Sequence, residues 1–301
     1  MNQYIKNLFK KIFNLIKPII VYLTKIDSRI IRTFIYEVLH HKKILLANTG
    51  NEKFLIFTEN CIISRHLFLT KEPTDFDKLL KVINNKNLNF NFEALIDIGA
   101  HIGTICIPAC KRELVSKAIA IEPNPSNFHL LKSNVELNQI LHAVETYNCA
   151  LGPEKNQNLE LYLSQTNSGD NRILESKPNS KEFLNKVSVT SETLDHFTKN
   201  LAPEKTLVWM DVQGYEAFVL MGSSNTLLRG FPIVFEFSPQ LMKENHSFVK
   251  LKNILLENKY KTFIDLSDKS MRIKALNENS LNEMYDLYLK KDGFTDIFLI
   301  K

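Results

Sequence analysis

Five polar side chains, Asp97, Glu122, Asn148, Asp211 and Glu236, stand at or near the ends of apolar runs. A carboxylate at the tip of an apolar strand is costly to bury unless something pairs with it. Five such tips on five predicted strands imply a ligand at the carboxyl ends of a sheet, where open α/β sheets bind. The first tip lies in residues 94–103, Ala-Leu-Ile-Asp-Ile-Gly-Ala-His-Ile-Gly, a short strand running into a glycine turn and a helix. The second apolar run, Ala118-Ile119-Ala120-Ile121, ends in Glu122. An acidic residue there can accept hydrogen bonds from both hydroxyls of a ribose.

The turn itself limits the kind of nucleoside. A dinucleotide fingerprint, G-x-G-x-x-G, uses its glycines to let a pyrophosphate lie against the backbone and the helix N-terminus. Here Gly99-Ala100-His101-Ile102-Gly103 places a bulky histidine where the middle glycine would stand. A phosphate-free cofactor with a ribose fits better, and S-adenosylmethionine is the common one. Asp97 would then lie near its positively charged amino-acid end. Methyl transfer needs alignment of two reactants, and a hydroxyl acceptor also needs a general base. Asp211 is the first candidate and Glu236 the second, while His101 suits shaping the backbone or contacting the cofactor. Glu216 reads as structural.

Other roles stay open for these residues. Asp211 would also favour the N-terminus of the helix that follows it. Glu236 would also pair with backbone, Arg172 or Arg229. Asp211 and Glu236 are hard oxygen ligands that suit Mg²⁺, although no third ligand is clear and no metal is assigned. Arg172, in the polar loop 167–173, would clamp a carboxylate or phosphate or simply face solvent.

Asp97-Ile-Gly99-Ala-His101-Ile-Gly103 with Ala120-Ile-Glu122-Pro123-Asn124-Pro125 resembles the FkbM-type S-adenosylmethionine-dependent methyltransferases. Leu130-Leu-Lys-Ser-Asn134-Val-Glu-Leu-Asn138, Asn148-Cys149-Ala150-Leu-Gly152 and Val208-Trp-Met-Asp211-Val-Gln-Gly214-Tyr-Glu216 extend the likeness over residues 92–240. The resemblance implies a Rossmann-like, seven-stranded α/β sheet with helices on both faces. It implies that Asp97, Gly99, Ala100, His101, Gly103, Glu122, Pro123, Asn124, Asn148, Cys149 and Ala150 bind S-adenosyl-L-methionine. It also implies O-methylation of a sugar, glycan, lipid or natural product. Many members carry Lys where Met210 stands and Glu where Gln213 stands. Those departures keep a catalytically inactive, membrane-associated scaffold in view. A nicotinamide-dependent oxidoreductase or epimerase is disfavoured by His101 and by the lack of a Tyr-x-x-x-Lys pair after residue 210.

The elements that would position these residues follow from alternating patterns. Strands are expected at 94–98, 117–121, 143–150, 206–210, 233–237, 260–266 and 295–300, in a parallel sheet. Helices are expected at 103–114, where Pro108 is awkward, from Pro125, where proline suits a first turn, and at 247–258. Residues 159–163 and 187–189 read as added strands, and 268–292 as an insertion. An N-terminal extension, 1–91, is set apart from the methyltransferase domain, 92–301. In the extension, 44–46, 54–57, 62–63 and 67–69 read as short strands and 76–83 as a helix.

Ile5, Leu8, Phe9, Ile12, Phe13, Ile16 and Ile19 recur at helical spacing among Lys6, Lys10, Lys11 and Lys17. That pattern fits either a basic amphipathic helix in contact with a membrane through residues 1–23 or one packed on the domain or a second subunit. At 301 residues, 44% hydrophobic and 24% charged, the chain has ample capacity for a core. A net charge of +5 leaves no strong footprint for nucleic acid. The apolar run Ile19–Leu23 is too short to span a bilayer, and no cleavage site follows it. Cys61, Cys106, Cys110 and Cys149 lack histidines at zinc-like spacing and read as buried, reduced thiols. The expected location is cytoplasmic, or peripheral at the inner membrane surface.

Overall fold

Runs of Ile, Leu, Val and Phe between turn-forming residues become the central strands of an eight-stranded sheet. The computed structural model describes residues 17, 18, 29–39, 43–59, 61–72, 76–86, 88, 90–176, 181–258 and 260–301. The amphipathic pattern at 5–20 lies outside them, apart from Lys17 and Pro18. Helix α1 (Arg29–Leu39) precedes the hairpin β1 (Ile44–Asn48) and β2 (Lys53–Phe57), then α2 (Ile62–Thr70) and α3 (Phe76–Asn85). The first half of the sheet is β3 (Ala94–Ile98), α4 (Cys106–Lys111), β4 (Lys117–Ile121), α5 (Pro125–Leu137) and β5 (Val144–Tyr147). A second, four-stranded sheet follows, from β6 (Ala150–Leu151), β7 (Asn158–Leu163), β8 (Arg172–Ile173) and β9 (Asn185–Glu192), in the order β6-β9-β7-β8. The chain then returns through α6 (Leu194–Thr198) to β10 (Thr206–Met210), α7 (Glu216–Met221), α8 (Ser224–Arg229) and β11 (Ile233–Phe237). It ends with α9 (Pro239–Glu244), α10 (Phe248–Glu257), β12 (Thr262–Asp265), β13 (Ile273–Ala275), α11 (Glu278–Lys290) and β14 (Thr295–Ile300).

The main sheet runs β13-β12-β14-β11-β10-β3-β4-β5. Strands β3, β4, β5, β10 and β11 are parallel. The sheet is mixed, because β14 enters antiparallel between β11 and β12. From β3 the chain winds outward through β4 and β5, then resumes at β10 on the other side of β3. That reversal is the topological switch point, where a crevice opens beyond the strand ends. Both faces are covered: Leu95, Leu207 and Trp209 face one apolar cluster, and Ile96, Ile98, Val208 and Met210 face the other. Burial on both faces explains the mostly apolar runs of β3, β10 and β11.

Several expectations need correction. Residues 62–63 and 67–69 are not strands but parts of α2. Its N-cap is Cys61, whose sulfur accepts from Ser64 N, and Lys71 ends it in a left-handed conformation. The apolar pairs there are one helical face, with Ser64 and Leu67 buried three apart. The expected strand 143–150 breaks at Asn148–Cys149, and Ala150–Leu151 joins the second sheet beside β9. The insertion at 268–292 adds an eighth strand, β13, paired to β12. Helix α4 is shorter than expected, which places Pro108 in its first turn, where a missing N–H costs little.

One contact ties the N-terminal elements to the main sheet. Asn134 and Asn138 lie one turn apart on α5, and their amides act as a substitute strand along β2. Leu55 N donates to Asn134 Oδ1 at 2.6 Å and Asn134 Nδ2 donates to Leu55 O at 3.1 Å. Lys53 N and O make the same exchange with Asn138, at 2.9 and 2.7 Å. The exposed edge of β2 is thereby satisfied. Phe54, Ile56, Leu67 and Phe76 share a cluster with Leu95, Ile102 and Leu131.

Candidate active site

Two turns at the switch point build the site. After β3, Gly99 (φ +81°) and His101 (φ +50°) are left-handed. A β-carbon on Gly99 would stand 1.8 Å from Asp211 O, so only glycine permits the two turns to touch. The N–H groups of Gly99 and Ala100 both donate to Ile121 O. His101 N donates to Glu122 Oε2 at 2.9 Å, which draws the first turn onto the end of β4. Glu122 Oε1 accepts from Asn124 N at 2.9 Å and Asn127 Nδ2 at 3.3 Å. Even with those donors, burial pushes the Glu122 carboxyl up to about 7. Asp97 Oδ2 accepts from Cys106 N at 3.0 Å, and burial also raises it to about 7.

After β10, Gln213 (φ +54°) and Gly214 (φ +89°) form a second left-handed turn. Glu216 Oε1 holds it by accepting from Val212 N and Gly214 N, the structural role expected for this residue. Gln213 Nε2 donates to Asp211 Oδ1 at 2.7 Å and to Glu236 Oε2 at 3.2 Å. One amide thus bridges the two candidate bases. Burial, then the charges of Asp211, Glu216 and Asp296, raise the Glu236 carboxyl well above its ordinary range. Glu236 pairs with this amide, not with an arginine. Arg172 is held instead by Asp170, at 2.7 and 2.8 Å, and by Glu244 at 2.7 Å. It is not among the cavity-lining residues and its side chain is 13% exposed, so neither alternative, anion clamp nor solvent-facing residue, describes it.

The turns enclose a cavity of about 500 Å³. Asp97, Gly99, Ala100, His101, Glu122, Pro123, Cys149, Ala150, Asp211 and Glu236 all line it. Gly103, Asn124 and Asn148 do not. Gly103 packs under α4, where a β-carbon would stand 2.5 Å from Ile107. Asn124 caps α5 by accepting from Ser126 N and Asn127 N, and Asn148 Nδ2 donates to Glu122 O and Pro123 O. The last two shape the Glu122 corner from behind. Burial pushes the Cys149 thiol up to about 11, which keeps it protonated. His101 is pushed down to about 4 by burial and is neutral, with Nε2 3.2 Å from Ser168 Oγ. No group of three metal-binding side chains occurs among the described residues.

A sequence model described as the methyltransferase FkbM domain matches residues 97–262, more than half of the chain. The chain belongs to the FkbM methyltransferase family. No curated protein matches it in a sequence search. Among solved structures it is similar to methyltransferase FkbM from Methylobacillus flagellatus, at 14% identity and a TM-score of 0.45. The match covers 90% of this chain but only 59% of that one. It is also similar to TYW2 from M. jannaschii in complex with AdoMet, at 14% identity, a TM-score of 0.38, and coverage of 85% and 84%.

In this FkbM-family chain the two departures from the common pattern have separate fates. Met210 is fully buried in the cluster below the sheet, whereas Gln213 lines the cavity and holds two carboxyl groups. Sequence reading passed over three further lining groups. Asn127 Nδ2 ties Glu122 to Ser168 O, while its buried Oδ1 has no partner. Ile62, Ile63 and His66 of α2 reach the cavity from the N-terminal side. Ser168, Gly169 and Asn171 reach it from the loop before β8. Only Asn127, five residues beyond Glu122 in the first turn of α5, had a local signal. The others are brought in by long-range packing.

Proposed function

We propose that this FkbM-family protein transfers a methyl group from S-adenosylmethionine to a hydroxyl of an uncharged sugar, glycan, lipid or natural product. The observation that carries this reading is the acidic lining of the cavity, which offers no fixed positive charge among the described residues even where burial leaves Glu236 protonated. Glu72, Asp97, Glu122, Asp211, Glu236 and Asp296 line it, and no Lys or Arg among the described residues does. Such a wall favours a donor with a sulfonium and an ammonium group. It opposes pyrophosphates and acceptors bearing phosphate or carboxylate, since like charges brought together cost several kcal/mol.

The residues also fit the donor individually. Glu122 has acceptor capacity beyond its three donors for ribose hydroxyls, and the orphaned Asn127 Oδ1 can take a further N–H or O–H. Asp97 faces the cavity as a counter-charge for the ammonium group. S-adenosylmethionine supplies an electrophilic methyl carbon when bound, so the protein need only align the acceptor and remove its proton. Asp211 is the assigned base. Gln213 keeps it aimed, and Glu236 beside it holds a proton.

Titration of the full chain with S-adenosylhomocysteine and with NAD tests the donor class. Trp209 is the chain's sole tryptophan and lines the cavity, so its fluorescence reports occupancy. Saturable binding of S-adenosylhomocysteine without NAD binding is expected. The reverse outcome would sink the proposal.

A further inference from the structure

We infer that α1, together with the basic residues of the sequence stretch 1–43 that contains it, forms a docking surface for an anionic lipid bilayer. Helix α1 uses one face to pack on α2. Tyr36 is buried there, its ring lying 5.5 Å from Phe68, and its hydroxyl donates to Thr58 O at 2.9 Å. Arg32 Nε donates to Leu69 O at 2.9 Å on the same side. The opposite face carries Ile30, Phe34 and Val38, spaced four apart and 82%, 67% and 51% exposed. Ile44 and Leu46 of β1 are also exposed. Three large apolar side chains in line on one surface helix form a patch rather than scattered exposure.

Charge identifies the occupant. Residues 1–43 contain nine Lys and Arg against two Asp and Glu, a formal +7 where the whole chain is +5. Residues 44–301 are therefore −2, so the whole positive balance of the protein lies in the stretch of sequence that contains α1. A second copy of the chain would bring the same +7 against it and be repelled. A bilayer with anionic headgroups offers both an apolar layer for Ile30 and Phe34 and negative charge for the lysines and arginines of the same stretch of sequence. Because α2 carries Ile62 and Ile63 to the cavity, docking through α1 would hold the membrane one helix away from the site's wall.

The test is flotation of the full chain with phosphatidylcholine vesicles and with vesicles containing roughly one-quarter phosphatidylglycerol. Binding to the anionic vesicles is expected to be at least about ten-fold tighter, and to fall in high salt. The double variant Ile30→Asp/Phe34→Asp should lose at least about ten-fold of that binding while Trp209 fluorescence stays native. Equal binding to both vesicles, no binding, or binding indifferent to the double variant would overturn the inference. Loss in Lys10→Glu/Lys11→Glu alone would assign the contact to the preceding residues instead. A doubled mass in sedimentation that the double variant returns to a monomer, without flotation, would assign the face to a second copy.

Discussion

The turns after β3 and β10 are alike in backbone and different in how they hold their acids. Each needs two left-handed residues, and each presses on the other at Gly99. In the first, Asp97 and Glu122 are tied by backbone N–H groups of Cys106, His101 and Asn124. In the second, Asp211 and Glu236 share one side-chain amide, Gln213 Nε2. Backbone donors fix a carboxylate in place, as binding a ligand requires. A side-chain amide shared between two crowded acids, in place of backbone donors, suits a group that must gain and lose a proton.

The largest way to break that contrast is Asp211→Asn. Loss of the general base should lower turnover by about 10²–10⁴-fold with donor affinity little changed. Single-turnover transfer of a labelled methyl group, alongside calorimetry with S-adenosylhomocysteine, separates the two effects. Equal losses in both would place Asp211 in the binding turn and erase the distinction.

Next in size is Glu122→Ala, which should weaken donor binding by about 1.5–3 kcal/mol, as for hydrogen bonds to a charged group. Its pH dependence sharpens the point. The folded-state value of about 7 lies above the ordinary carboxylate value, so the folded protein holds this proton longer than the unfolded chain does. Its stabilising contribution is full below the ordinary value and is lost as pH rises through about 7. Binding a cationic donor runs the other way and strengthens as Glu122 ionises. Thermal melts and donor titrations from pH 5 to 8 should therefore show opposed slopes, both flattened in Glu122→Gln. Parallel slopes would mean that the ionised Glu122 carboxylate does not accept from the donor's ribose hydroxyls.

The first of these turns was the more legible in sequence. Gly99, His101 and Glu122 lie within one strand–turn–helix–strand unit, where spacing alone fixes position. The parallel strands were legible too, because burial on both faces leaves mostly apolar runs at 94–98, 206–210 and 233–237, interrupted only near their ends by Asp97, Thr206 and Glu236. The second turn was harder to read. Asp211 and Glu236 could be named as strand tips, yet the amide joining them depends on a left-handed Gln213 that no local pattern announces. Arg172 could not be settled for the same reason, since Asp170 and Glu244 reach it only in the folded chain. In α2, apolar doublets fit either a strand or a helix, and the deciding signals were a sulfur cap at Cys61 and a left-handed Lys71.

The smallest and most specific test concerns Gln213 itself. Gln213→Glu exchanges a donor shared by two acids for a third acid beside them. Either the new group takes up a proton and restores one hydrogen bond, or it adds a negative charge to Asp211 and Glu236. Where the new group ionises, its charge favours the protonated forms of both neighbours, so the acidic limb of kcat/KM against pH should move upward by about one unit, equivalent to about 1.4 kcal/mol. Affinity for S-adenosylhomocysteine should hold within about two-fold, because the backbone-held acids of the first turn are untouched. A limb that stays in place would show that proton removal does not run through this pair. A limb that moves together with donor affinity would show the two turns to be one electrostatic unit, since Asp97 already feels the charge of Asp211.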